Sequence, residues 1–282
     1  SETRLIMIRS LSAIARVHYD QGQLGLALAE FEQVLSMQEA HFESRENRSI
    51  ATTLSNIASV VLDLGDIDGA ITRFEQVQAL AERCYATRSH LQVATAFHNL
   101  GFGHALAGRQ QEAIRLYQES LEVKGRLFRT ESHPSLPPTL MRLGVALCET
   151  GHADLGEEHI CRAEQILYAS NAVLAPATRA HLEVAKAAHA ASLSKWTGAV
   201  GHLETALELI EARTGSESNL EIAAVQARLG RALLESGDMA RSRQVLSQAL
   251  TTRRAQLQVN GKHVSESHPW VAELTSTLAA AQ

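Results

Sequence analysis

The sequence is short of most features that mark a chemically active or membrane-bound protein. Aromatic side chains make up only 4% of its 282 residues, so a core must come from small side chains and from leucine, isoleucine and valine. Five prolines leave little room for a linker. Three cysteines, Cys84, Cys148 and Cys161, form no C-x-x-C and cannot all pair. That fits reduced thiols in a cytoplasmic protein better than a disulfide framework. The net charge of −5 is mild and the pI is about 6.2, without the basic balance that nucleic-acid binding demands. No apolar run approaches the roughly 18 residues a membrane span needs. No secretory leader opens the chain. Its first residue, Ser1, suggests a segment of something longer.

Catalytic signatures are missing too. The stretch HNLGFGHALAG at 98–108 holds three glycines, but its G-x-G-x-x-x-x-G spacing misses the dinucleotide fingerprint. It also lacks the Gly-Lys-Ser/Thr ending of a P-loop. There is no H-E-x-x-H, and GEEHIC has the wrong order and spacing. Cys148, His152, His159 and Cys161 could in principle surround zinc. Cys148 and His152 straddle a turn, however, and His159 begins well into the next helix, so packing thiols and exposed histidines are the stronger reading. No metal, no cofactor and no enzymatic activity are expected.

What the sequence does contain is a repeat. Gly22, Gly65, Gly108, Gly151 and Gly237 lie on a ladder with a step of 43 residues, and Ser194 occupies the missing rung. Seven residues before each rung stand Ala15, Ala58, Gly101, Gly144, Ala187 and Gly230, all small. Five after it stand Ala27, Ala70, Ala113, Gly156, Ala199 and Ser242, again all small. Nine after it come Phe31, Phe74, Tyr117, Ile160, Leu203 and Leu246, all large and apolar. Apolar residues recur at helical spacing on both sides of a rung, as in Leu54, Ile57, Val61 and Leu64, then Ile71, Phe74, Val77 and Leu80.

This is the pattern of a helical hairpin. The rung supplies the left-handed residue that ends the first helix, the small columns let two helices approach, and the large column fills the groove between them. One hairpin cannot bury its face alone, so hairpins must stack. Gly101 falls in a small column and Gly108 on a rung. Gly103 and His104 fall in packing columns with Val60 and Val61, so the glycine cluster needs no phosphate to explain it.

The order small, glycine, alanine, aromatic resembles the tetratricopeptide repeat, with a longer period than the usual ~34. SHLQVATAFHNLG (89–101), SHPSLPPTLMRLG (132–144) and SHPWVAELTSTLA (267–279) resemble the longer kinesin-light-chain type. The resemblance implies an all-α, right-handed α-solenoid of six hairpins at about 4–46, 47–89, 90–132, 133–175, 176–218 and 219–267. A capping helix at 268–282 completes a single solenoid over 1–282. Two stretches depart from the pattern. Glu183 and Lys186 fall where apolar residues are expected, and a one-residue shift would bring Val184, Ala187, Ala188 and Ala191 into line, so an offset helix is expected. VNGKHVSES (259–267) adds about six residues, which predicts a longer loop.

Function in such arrays is expected on the wall formed by successive first helices. Nine residues before the rungs stand Ala13, Asn56, Asn99, Arg142, Ala185 and Arg228. The resemblance implies that Asn56 and Asn99 hold the backbone of an extended peptide. An amide suits that task because it donates and accepts at once, and asparagine is otherwise a poor mid-helix residue. Arg16 and Arg231 have Asp20 and Glu235 four residues on, ordinary intrahelical pairs worth ~0.3–0.5 kcal/mol each. Arg142 and Arg228 have no acid three or four residues away, so they read as uncompensated guanidiniums suited to an acidic group. Neighbouring columns add His98, Ser59 and Phe102, the last as the floor of a side-chain pocket. The expected function is therefore a protein–protein interaction module that binds an extended partner segment in the groove. The alternative is a ligand-sensing arm of a larger transcription regulator or signalling ATPase.

Overall fold

The computed structural model describes residues 2–42, 44, 46–85, 90–169, 173–214, 220–259 and 269–281. These residues form thirteen helices and no strand among them. The helices pair as α1 (Glu2–Asp20) with α2 (Leu24–Glu39), α3 (Arg48–Asp63) with α4 (Ile67–Tyr85), and α5 (Leu91–Leu106) with α6 (Gln110–Phe128). Then come α7 (Pro137–Glu149) with α8 (Ala153–Ala169), α9 (Pro176–Ser192) with α10 (Trp196–Thr214), and α11 (Leu220–Glu235) with α12 (Met239–Val259). A last helix, α13, spans Pro269–Ala280. They fall into two compact units, the first holding α1–α6 (Ser1–Arg129) and the second α7–α13. Within the first unit α2 packs on α3 and α4 on α5; within the second, α8 packs on α9 and α10 on α11. Each unit is thus a stack of hairpins of the α-solenoid class.

Every hairpin turns in the same way. The rung glycines have φ of 74° (Gly22), 85° (Gly65), 74° (Gly108), 83° (Gly151) and 90° (Gly237). Ser194 takes the same left-handed conformation at φ 55° without being glycine. The residue after each rung closes the helix by donating to the carbonyl five residues back. Examples are Gln23 N to His18 O at 2.9 Å, Arg109 N to His104 O at 2.9 Å and Lys195 N to Ala190 O at 2.9 Å. These are Schellman-type closures, which satisfy carbonyls the helix end would otherwise leave open.

The columns read from the sequence are the core. Ala15, Ala58, Ala27, Ala70, Ala113 and Ala199 have no exposed surface, and Phe31, Phe74, Tyr117 and Leu246 are 1% exposed or less. The small column is a steric requirement: a Cβ on Gly101 would lie 2.9 Å from Tyr117 Cε1, and one on Gly230 would lie 2.5 Å from Leu246. Gly103 sits mid-helix in α5, where a Cβ would meet Ile71 Cγ1 at 3.0 Å, and His104 is buried beside it. No loop exists there to cradle a phosphate.

Two expectations need correction. Helix α9 is not offset: Ala187 is buried in the small column and Ser194 makes the turn on the 43-residue ladder. The polar residues are matched instead of moved. Glu183 Oε2 pairs with His202 Nδ1 of α10 at 2.6 Å, and Lys186 Nζ with Glu164 Oε1 of α8 at 2.6 Å. Arg231 does not pair with Glu235 along its own helix; it reaches Glu273 of α13 at 3.2 Å. Arg16 and Asp20 do pair, at 3.1 Å.

The segment 260–267, which carries most of VNGKHVSES, lies outside the described residues. Beyond it, α13 closes the last hairpin by burying Val271 and Leu274 against Leu246, Ala249 and Leu250. None of the described helices is long and apolar enough to cross a membrane.

Candidate functional site

The first unit brings together most of the wall residues. Helices α3 and α5 are successive first helices, and their turns present one face at 52, 55, 56 and 59 and at 95, 98, 99 and 102. Helix α3 begins with Asn47, whose side chain accepts from Ser49 N at 2.8 Å. Helix α5 begins with His90, whose ring accepts from Gln92 N at 3.1 Å. Both caps satisfy amides that a helix start leaves open.

Along this face Asn99 Nδ2 donates to Ser55 Oγ at 3.2 Å, a bond from α5 to α3. Ser59 Oγ in turn donates to the Ser55 carbonyl at 3.1 Å. The bond to Ser55 uses one N–H of the Asn99 amide and leaves its other polar valences to point elsewhere. Asn56, beside Ser55, is half-buried, and no hydrogen bond among the described residues ties its amide. Phe102 is half-buried one turn beyond Asn99. His98 tilts over the buried Tyr117 ring of α6, with centroids 5.7 Å apart, so much of its surface is spent on the hairpin.

The strip continues to the amino ends of both helices, where sequence reasoning placed nothing. Arg48, Thr52, Ser55, Tyr85, Gln92 and Thr95 line a cavity of about 20 Å³. That is room for a water, not for a ligand. The Arg48 guanidinium lies 4.6 Å over the Tyr85 ring, which stacks on His90 at 3.5 Å. Burial, helped by the Arg48 charge, lowers the His90 pKa and so favours the neutral ring that accepts from Gln92. One signal was available: Thr52 and Thr95 share a column one turn before the asparagines.

In the second unit Arg142 is half-buried on α7 and Arg228 is exposed on α11. Neither is uncompensated. Arg228 Nη1 lies 3.1 Å from Glu149 Oε1, joining α11 to the end of α7. Helix α9 between them carries Ala185 and Ala188, whose short side chains suit such a crossing. Arg142 also interacts within the protein. A search three or four residues away cannot find an acid 79 residues distant, which is why the sequence missed Glu149.

The four residues weighed as a conceivable zinc set form no metal-holding cluster. Cys148 is buried and bonds to Ser192, while Cys161 is exposed on α8. His152 bonds to Thr150 Oγ1 at 3.1 Å. Among the described residues no three His, Cys, Asp or Glu are placed to hold a metal ion. The α3–α5 strip offers amide and hydroxyl donors and acceptors, the Arg48 guanidinium at its amino end and the rings of Tyr85, His98 and Phe102, which is chemistry for holding a backbone and side chains.

Comparison with known proteins agrees with this architecture. Residues 7–46 and 49–125 each match the tetratricopeptide repeat family. No curated protein matches the sequence. A Rap protein complexed with competence and sporulation factor aligns over 90% of this chain and 66% of its own, at 14% identity and TM-score 0.71. The apo form of RapI aligns over 89% of this chain and 84% of its own, at 13% identity and TM-score 0.67. At those identities the likeness is one of fold. The TPR-like repeats of a candidate kinesin light chain from Podosopora anserina align over 88% of this chain and 96% of their own, at 20% identity and TM-score 0.46. Residues 7–46 and 49–125 are thus tetratricopeptide repeats, and the same hairpin, turning every 43 residues, recurs from α7 to α12.

Proposed function

We propose that the chain is a protein–protein interaction module that holds an extended partner segment along α3 and α5, without catalysis. Asn56 and Asn99 bond the segment's backbone, Ser59 and His98 border it, and Phe102 floors a pocket for one of its side chains. The observation that carries this reading is the Asn99–Ser55 bond, which fixes an amide on the face that also holds Asn56. Preorganised donors and acceptors bind better than ones that must be ordered on binding.

In the second unit, Arg142 and Arg228 take an acidic group of the partner, and at Arg228 that group competes with Glu149. A single repeat array over 1–282 and a cytoplasmic setting belong to the same proposal. The Rap protein complexed with competence and sporulation factor is a case of this fold occupied by a factor.

The test is to recover a partner with the full chain, map the bound segment, and titrate it against Asn56→Ala, Asn99→Ala and Arg142→Ala at two ionic strengths. The asparagine variants should weaken every bound segment alike, because all share a backbone. Arg142→Ala should weaken acidic segments selectively, with an effect that shrinks as salt rises. Wild-type affinity in all three would remove the binding surface from this wall.

A further inference from the structure

Two first helices of the first unit are capped from one column by different side chains. Asn47 starts α3 and His90, one 43-residue step later, starts α5, both in extended backbone with φ of −125° and −135°. Asn47 accepts from Ser49 N at 2.8 Å, and His90 Nδ1 accepts from Gln92 N at 3.1 Å. An amide oxygen accepts at any physiological pH, whereas an imidazole nitrogen accepts only while it carries no proton. The cap column therefore holds one fixed acceptor and one that titrates.

The surroundings of His90 oppose its proton. Its ring stacks on Tyr85 of α4 at 3.5 Å, and the Arg48 guanidinium of α3 lies 4.6 Å over the same Tyr85 ring. Burial first and the Arg48 charge second hold its pKa below the usual histidine range, and among the described residues no carboxylate pairs with it. Tyr85 is the other titratable group in contact, and burial moves its hydroxyl further above neutrality. A proton on Nδ1 would set one N–H against the N–H of Gln92. It would also add a cation at the positive end of the α5 dipole, close to a second cation on Arg48.

We infer that His90 is an acid-releasable cap: protonation of its ring frees the Gln92 amide and loosens the first turn of α5, while α3 stays held by Asn47. Because folding lowers the His90 pKa, the cap contributes fully above the ordinary histidine value of 6.5 and is lost as pH falls through the folded value. The loosened turn carries Gln92 and Thr95, which line the amino end of the strip with Arg48, Thr52 and Ser55. Acid thereby weakens the hold on a partner at that end. This last consequence rests on the reading of the strip as the partner's site, and the uncapping does not.

Backbone hydrogen exchange followed by NMR on the full chain, from about pH 7.5 to about pH 5, tests it. With intrinsic exchange rates divided out, protection across residues 92–96 should fall on the order of fivefold as pH drops, the worth of one cap. Protection at the start of α3 should hold. His90→Asn should keep α5 protected at both ends of the range, and His90→Ala should leave it open at both. Wild-type protection that ignores pH, a fall shared equally by α3, or a fall that persists in His90→Asn overturns the inference. Titrating the segment mapped from the recovered partner separates the two readings. Affinity that drops with acid in the wild type and not in His90→Asn joins the cap to the strip. Uncapping with unchanged affinity upholds the cap and counts against a partner at the strip's amino end.

Discussion

The third and fifth hairpins solve one packing problem with charges in opposite places. In the third, α5 presents Phe97 and Leu100 to the core while α6 buries Lys124. In the fifth, α9 presents Glu183 and Lys186 at the columns of Phe97 and Leu100, while α10 has Ile210 at the column of Lys124. Yet both keep the small-to-large contact, Gly101 on Tyr117 and Ala187 level with Leu203, and both turn through a left-handed rung. Register is thus held by the turn and the tight column. The flanking columns tolerate a charge where the neighbourhood can accommodate it.

The two lysines differ in how they are accommodated. Burial pushes Lys124 down from 10.5 to about 8. Burial acts on Lys186 in the same direction, but the adjacent Glu164 and Glu183 outweigh it and raise its pKa. Burial disfavours the charged form of both lysines, and only at Lys186 do adjacent carboxylates reverse the direction of the shift.

Five variants sharpen the contrast, the largest effect first. Because folding depresses the Lys124 pKa, its contribution to stability is fully present above pH 10.5 and lost as pH falls through about 8. Denaturation of the wild type against Lys124→Ile should reveal a difference that changes by about 3 kcal/mol across that window. A constant difference would show that Lys124 does not feel its burial. Gly101→Leu should cost ~1–3 kcal/mol by overpacking Tyr117, measured by urea unfolding. An unchanged midpoint would break the claim that the small column sets the register.

Lys186→Ala should cost roughly 1 kcal/mol, because Glu164 and Glu183 lose a half-exposed partner. Replacing Glu183 and Lys186 together by leucine should recover most of that loss or exceed it. Since the Lys186 pKa is raised, its stabilisation is present below the unfolded lysine value and fades as pH rises through the folded one, the reverse of Lys124. Ser194→Gly should stabilise by roughly 0.5–1 kcal/mol, relieving a non-glycine left-handed residue. A loss of melting temperature would mean that the Ser194 side chain is needed at the turn.

The fold was legible because it is written in local rules. A 43-residue step, a left-handed rung and columns of fixed size can all be read from one strand of text. Even Ser194, the rung without glycine, took its place from spacing alone. Pairings set by distant residues could not be read. Glu149 beside Arg228, Glu273 beside Arg231 and Ser55 beside Asn99 all depend on how neighbouring first helices align. Glu183 and Lys186 looked like a register error because their partners, His202 and Glu164, sit on other helices. The candidate site was half legible: the asparagine column marked the face and the Thr52/Thr95 column pointed along it, while Arg48, Tyr85 and Gln92 joined it only through packing.

The central claim is that a partner lies along α3 and α5, on the first-helix face and not on the second helices. A photoreactive amino acid placed singly at Ser59, at Phe102, and at the exposed Glu75 and Gln76 of α4 tests this directly, with the full chain and its recovered partner. The account predicts crosslinked adducts from positions 59 and 102 and none from 75 and 76. Adducts from α4 alone, with silence at 59 and 102, would contradict it.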